Sequence, residues 1–276
     1  MRYGFVTCVE LGLECINEIY DLGGKLDLLI TLKDDVSKAK SGRVYLDDLA
    51  SRYGIDLVKV DNINDFESIK AIESADLDWL FIIGWSQIAR SGVLRSTVNG
   101  VLGMHPTLLP VGRGRAAIPW AIIKGLDKTG VSMFVLDEGV DTGPLIAQVE
   151  IPLSPREDAT SLYSRVQHAH RELMRVAWPL LEAGEVKPAA QNEGQATEWP
   201  GRKPDDGRID LAMSVAEVDR LVRGVTRPYP GAFLDAHGDR WRVWQGQPGE
   251  VSHAALVLDL VDGKFSCTEV ERESIS

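Results

Sequence analysis

Four short apolar runs frame the first half of this chain: RYGFVTC, LDLLITL, IDLVKV and LDWLFIIG, each rich in β-branched or aromatic residues. Between them lie segments with helical spacing of apolar positions, such as LECINEIYDL and VYLDDLASRYG. Strands that alternate with helices are joined by crossovers, which yield a parallel sheet covered on both faces. The expected fold is therefore α/β, with a Rossmann-like, doubly wound, mostly parallel sheet. Ligands of such sheets sit beyond the carboxyl ends of the strands. That rule directs attention to the loops after Cys8, after Ile83 and after the strand ending near Met104.

The first turn, TCVELGLE, holds only Gly12 and no G-x-G-x-x-G, so a nicotinamide dinucleotide is not expected. A second strand pair, VSMFVLDEG and PLIAQVEIPL, is separated by VDTG, and SPREDATSLYSRVQHAHRELMRVAWPLLEAGE reads as a long amphipathic helix that closes a first domain, 1–185. Residues 186–205 are polar and rich in Pro, Gly and Gln, a linker composition. Beyond them, SVAEVDRLVRGV reads as a helix capped by Ser214 with Glu217 three residues on. GAFLDAHGDRWRVWQG and HAALVLDLVDGKFSCTEV read as short strands joined by glycine turns. A smaller, mostly β carboxyl-terminal domain, 206–276, follows.

Charge and composition exclude several classes. The 276 residues carry 30 Lys and Arg against 41 Asp and Glu, a formal charge of −11, with no basic run, so no nucleic-acid partner is expected. No stretch approaches a membrane span, and MRYGFVTCVELG lacks the basic and apolar regions of a signal peptide, so the expected compartment is the cytoplasm and no membrane partner is expected. Cys8, Cys15 and Cys267 are far from metal-ligand spacing and read as buried thiols. His168 and His170, two apart on the helix, point to different sides, and no metal is expected.

The chemistry-bearing candidates lie in LGMHPTLLPVGRGRAAIPW and in LDEGVDTG. His105 and Asp141 each fall at a strand end or turn, and a carboxylate beside an imidazole orients it for proton transfer. On spacing alone two plainer readings stand beside this one: His105 as core packing, and Asp141 as a backbone cap in its turn.

HPTLLPVGRGRAAIPWAIIKG followed by KTGVSMFVLDEGVDTGPLIAQ resembles the two signature stretches of the folate-dependent formyltransferases, N-x-H-x-S-L-L-P-x-x-R-G and then T-G-V-T with D-x-G. The likeness continues into GRKPDDGRIDL and VRGVTRPYPGAFLDAHGDRWRVW, which resemble the carboxyl-terminal regions of methionyl-tRNA formyltransferases and of amino-sugar formyltransferases. The resemblance implies transfer of a formyl group from 10-formyltetrahydrofolate, as co-substrate and without a metal, to a primary amine. It makes His105 the catalytic histidine and Asp141 the aspartate that tunes it. It also implies a folate slot lined by Trp85, Ser86, Gln87, Ile88 and Ala89 on one side. By the same resemblance Leu136, Asp137, Glu138, Gly139, Val140 and Asp141 match the positions that line the other, and Arg115 matches an arginine that contacts the cofactor in the amino-sugar enzymes. Arg113 and Gly114 are accounted for by turn geometry.

The departure is Gly103, where the family has asparagine, whose amide helps to hold the oxyanion. Loss of one such donor commonly costs about 100- to 1,000-fold in rate. Three readings are open: water, Ser86 or Gln87 supplies the donor; the missing side chain makes room for a bulkier acceptor; or the chain binds without turnover. For the acceptor, the acid-rich sequence from Asp206 onward speaks against initiator tRNA, and the length beyond the first domain against glycinamide ribonucleotide. R-G-R-A with Ile-Pro-Trp is close to the loop of the sugar enzymes. The expected acceptor is an amino-deoxysugar, usually nucleotide-linked, on a surface-polysaccharide pathway. Methionyl-tRNA is the alternative, and hydrolysis of the folate with water as acceptor is a further one. VRGVTRPYPGAF is a candidate homodimer surface.

Overall fold

The computed structural model of the chain describes residues 1–35 and 42–275. Strands β1 (Tyr3–Val6), β2 (Leu28–Leu32), β3 (Asp56–Val60), β4 (Trp79–Ile82) and β5 (Gly100–His105) alternate with helices α1 (Glu10–Asp21), α2 (Asp47–Tyr53), α3 (Phe66–Ser74) and α4 (Ser91–Leu94). There follow β6 (Arg113–Gly114), α5 (Ala117–Ile123), β7 (Lys128–Val135), β8 (Leu145–Pro152) and the long α6 (Ala159–Ala183). The chain ends in β9 (Glu198–Trp199), α7 (Val215–Val225), β10 (Ala232–Ala236), β11 (Asp239–Pro248), β12 (Leu256–Leu260) and β13 (Gly263–Ser274).

The main sheet has the order β3-β2-β1-β4-β5-β7-β8, with β1 to β5 parallel, as the alternating pattern requires. Its strands read as unbroken apolar runs because both faces are covered: every residue of β1, β2 and β4 is buried. The sheet changes sense at β7, which runs antiparallel to β5 with His105 opposite Ser132 and Leu102 opposite Val135. The loop after β7 therefore leaves beside the amino-terminal half of β5, where the Leu136 N–H bonds the Val101 carbonyl at 2.7 Å. The rule about carboxyl ends, which holds for parallel strands, does not place this loop.

The described residues form two compact units. The first comprises Met1–Arg113, Gly130–Glu150 and Gln167–Thr197; the second comprises Gly114–Thr129, Ile151–Val166 and Glu198–Ser276. The second unit holds a four-stranded sheet, β10-β11-β13-β12, all antiparallel. Its helix α7 starts at Ser214, whose hydroxyl accepts from the Glu217 N–H while the Glu217 carboxylate accepts from the Ser214 N–H, the reciprocal cap expected from the sequence. Helix α5 joins α7 here at close range: a Cβ on Gly224 would lie 2.8 Å from Ile123 Cγ1. The apolar residues of VRGVTRPYPGAF mostly turn inward, with Val222, Val225 and Ala232 in this unit's own core and Phe233 also buried. All three cysteines are buried.

The polar stretch 186–205 is built into the structure. Ala189 and Leu145 exchange backbone hydrogen bonds at 2.8 Å, Gln191 and Trp199 are buried, and the Thr197 carbonyl accepts from the Arg113 N–H at 2.9 Å. Its polar side chains answer buried polar groups elsewhere in the fold.

Candidate functional site

His105 ends β5 with 8% of its surface exposed. The corner that follows it is tied back to the sheet. Ser132 Oγ donates to the Thr107 carbonyl at 2.6 Å and accepts from the Leu109 N–H at 3.0 Å, and Gln148 Nε2 donates to the Leu109 carbonyl at 2.9 Å. The chain returns so that the Gly112 carbonyl lies 2.8 Å from His105 Nε2. A carbonyl oxygen only accepts, so this contact places a proton on Nε2 and turns Nδ1 toward Asp141, whose Oδ2 is 3.4 Å away. A proton arriving at Nδ1 finds a carboxylate beside it in a largely dry site.

Asp141 reaches this position through a tightly folded loop. Asp137 Oδ1 accepts from the Gly139 N–H at 3.0 Å and from Thr142 Oγ1 at 2.6 Å. Gly143 passes so close to β7 that a Cβ there would sit 1.7 Å from the Val135 carbonyl oxygen, which only glycine allows. Asp141 itself has φ of 55°, a left-handed conformation that Asp and Asn tolerate better than most residues. Glu138 makes an exposed pair with Arg95 at 3.6 Å, and Val140 is exposed.

The opposite loop, after β4, splits its five candidates. Trp85 packs against the core cluster that also receives Leu136, and its indole Nε1 is buried with no hydrogen-bond partner among the described residues. Ser86 is exposed and Ala89 is buried. Gln87 is committed elsewhere: its Oε1 accepts from the Ile63 N–H and its Nε2 donates to the Asp61 carbonyl, each at 2.9 Å. It is an anchor for the loop, and the expectation that it replaces a missing amide donor is corrected. Ile88 is 78% exposed and takes part through its carbonyl, which accepts from Asn64 Nδ2. Arg115 belongs to the second unit, where its N–H bonds the Trp199 carbonyl at 3.1 Å and its side chain runs beside Gly201.

Gly103 pairs with Ile82 in β4 and Phe134 in β7. The room left by its missing side chain is filled: a Cβ there would lie 2.6 Å from Leu136 Cδ2. The expectation that glycine opens space for a larger acceptor is corrected, because leucine from the facing loop takes that space.

Two further residues were not singled out as functional by the sequence. Arg113, accounted for in the sequence by turn geometry, is buried. Its guanidinium bonds Glu193 at 2.6 and 3.0 Å and Gln191 Oε1 at 2.8 and 3.2 Å, and it holds the Glu193 carboxyl below its ordinary value. Gln191 continues the connection, its Nε2 donating to the carbonyls of Asp141 at 2.8 Å and Gly143 at 2.7 Å. No local pattern reports this, since Arg113 and Gln191 are 78 residues apart.

Among the described residues, no group of three or more His, Cys, Asp or Glu side chains is arranged to hold a metal, and no helix is long and apolar enough to cross a membrane.

The sequence matches the formyl transferase family over residues 34–177 and the formyl transferase carboxyl-terminal domain over residues 202–266. A methionyl-tRNA formyltransferase of Alkaliphilus oremlandii is 27% identical over 269 residues, 97% of this chain and 86% of that protein. Among solved structures, the N-formyltransferase from Helicobacter canadensis, in complex with folinic acid and dTDP-3-aminofucose, superposes with a TM-score of 0.68 at 15% identity, covering 96% of this chain and 98% of that one. HypX from Aquifex aeolicus, in complex with tetrahydrofolic acid, superposes with a TM-score of 0.68 at 19% identity, covering 98% of this chain but only 44% of that longer one. With more than half of its length matched by the formyl transferase family and residues 202–266 matched by that family's carboxyl-terminal domain, the chain belongs to the formyl transferase family.

Proposed function

We propose that the protein is a 10-formyltetrahydrofolate-dependent N-formyltransferase whose acceptor is the primary amine of an amino-deoxysugar, usually nucleotide-linked, for surface-polysaccharide synthesis. The observation that carries the reaction is the buried His105, held at Nε2 by the Gly112 carbonyl and faced at Nδ1 by Asp141. The folate supplies an activated formyl group. The residues present fit it, since the buried indole N–H of Trp85 is an unpaired donor in the loop expected to line its slot. Leu136 supplies an apolar wall in the same cluster.

Formyl transfer forms a bond from the amine nitrogen to the formyl carbon and breaks the bond from that carbon to the folate nitrogen. The carbonyl pair moves to oxygen and back. A proton leaves the attacking nitrogen and one is delivered to the departing nitrogen. The His105–Asp141 pair is placed to carry that proton, with Nδ1 as the exchanging atom and Nε2 fixed by its carbonyl. Trp85, Ser86, Gln87, Ile88 and Ala89 on one side, and Leu136 to Val140 on the other, form the binding slot in this reading. Gly103 contributes only backbone.

The choice of acceptor rests on charge. From Asp206 to Ser276 there are 12 acidic residues and 8 basic ones. Seven of the eight, Arg208, Arg223, Arg227, Arg240, Arg242, Lys264 and Arg272, pair with carboxylates. A surface whose cations are already neutralised releases few counterions from a nucleic-acid backbone. The sequence similarity to a methionyl-tRNA formyltransferase keeps methionyl-tRNA as the second reading. Incubation of the purified protein with 10-formyltetrahydrofolate and either a panel of nucleotide-linked amino sugars or methionyl-tRNA separates the two. Formylated sugar supports the proposal, and formylation of methionyl-tRNA alone overturns it.

A further inference from the structure

We propose that Gln191 is a positioning residue that sets the geometry of the His105–Asp141 pair, an inference that rests on the reading of those two residues as the reacting pair. Four polar contacts meet on this one side chain, which is 9% exposed. Its Oε1 accepts from Arg113 Nε at 3.2 Å and Nη2 at 2.8 Å. Its Nε2 donates to the carbonyls of Asp141 at 2.8 Å and Gly143 at 2.7 Å. The orientation of the amide is forced: a guanidinium only donates, so the oxygen must face Arg113, and both carbonyls only accept, so the nitrogen must face them. Every polar site of the side chain is thereby used.

The contacts close a ring. From His105, the ring passes through Nε2 to the Gly112 carbonyl, then along the backbone to Arg113, across its guanidinium to Gln191, and through Nε2 to the Asp141 backbone. The Asp141 carboxylate, 3.4 Å from His105 Nδ1, completes it. Two chain segments hold the pair, one gripping each side of the imidazole, and Gln191 connects those two holders. Asp141 sits at φ 55°, a conformation that persists only where surrounding contacts impose it. The Gln191 bonds to the carbonyls of Asp141 and Gly143 supply two such contacts. Glu193, bonded to the far side of Arg113 at 2.6 and 3.0 Å, fixes the guanidinium against which the amide is set. An error of about 1 Å in a reacting group can cost about 100-fold in rate, so a residue that fixes this spacing acts on turnover without touching substrate.

The test compares the full-length wild-type protein with Gln191→Glu and Gln191→Met. The glutamate keeps an acceptor for Arg113 but turns a carboxylate toward two carbonyl oxygens; methionine keeps the shape and removes every polar contact, and it carries the test if the first variant fails to fold. We expect kcat for formyl transfer to fall by about tenfold or more, with KM for 10-formyltetrahydrofolate changed by less than about threefold. The imidazole 15N and 1H resonances of His105 should shift. Folded variants with wild-type kcat and unchanged His105 resonances would overturn the positioning role while wild-type turnover leaves the reaction standing. Shifted resonances in a protein that formylates no amine would retain the positioning role and overturn the reaction. A kcat loss matched by an equal rise in KM, with His105 unshifted, would count against the proposal as general loosening.

Discussion

The two loops expected to face the folate present different groups. The loop after β4, holding Trp85 to Ala89, is fastened by the Gln87 side chain on the backbone of Asp61 and Ile63 and by the Ile88 carbonyl on Asn64, and keeps one buried indole N–H in reserve. The loop from Leu136 to Gly143 is fastened by the Asp137 side chain, by the close pass of Gly143 beside β7, and by the Gln191 amide on its backbone, and keeps one carboxylate directed at His105. In the proposed function, the first loop serves folate binding through Trp85 and the second serves proton transfer through Asp141.

Substitutions on the two sides should therefore separate kcat from KM. His105→Ala should lower kcat by about 10³-fold, the usual range for loss of a positioned acid–base group, while the dissociation constant for the folate stays near wild type in a binding titration. Asp141→Asn should lower kcat by about 10²-fold with the fold intact, since asparagine also accepts positive φ. In the other loop, Trp85→Phe should raise KM for 10-formyltetrahydrofolate by about fivefold to tenfold, the worth of one hydrogen bond, with kcat close to wild type. If Trp85→Phe lowered kcat as far as Asp141→Asn does, the division of labour would be wrong.

Gly103 tests how the loops meet. Gly103→Asn must displace Leu136, and overpacking of this kind costs about 1–3 kcal/mol, to be read from chemical denaturation. Gly103→Asn combined with Leu136→Ala should recover most of that loss, and the double variant then reports whether an amide at this position raises kcat. The smallest effect should come from Glu193→Gln, which loosens an exposed end of the Arg113 connection and should leave kcat within about twofold of wild type.

Much of this was legible in the sequence where local physics decides. The apolar runs gave the buried strands, and Ser214 with Glu217 gave the start of α7. His105 and Asp141 were legible through the family motifs, and the structure brings them within 3.4 Å. What escaped was set by partners distant in the chain. The antiparallel sense of β7 follows from its pairing with β5, which a strand pattern alone does not encode. Residues 186–205 have the composition of a linker, yet composition does not distinguish a solvated glutamine from one whose amide satisfies Arg113, Asp141 and Gly143. Gly103 read as open space because nothing near it in sequence says that Leu136 fills the gap. Helix α5 read as part of the first domain because the close approach of Gly224 to Ile123 lies about a hundred residues further on.

The central claim is that the His105–Asp141 pair carries formyl transfer to an amine. It is tested most directly by following tetrahydrofolate and formylated product together for wild type and His105→Ala, with 10-formyltetrahydrofolate and a nucleotide-linked amino sugar. The account expects equal amounts of the two products from wild type, no tetrahydrofolate without the amine, and a loss of about 10³-fold in the variant at unchanged folate binding. Wild-type rates in His105→Ala, or release of formate in place of a formylated sugar, would contradict it.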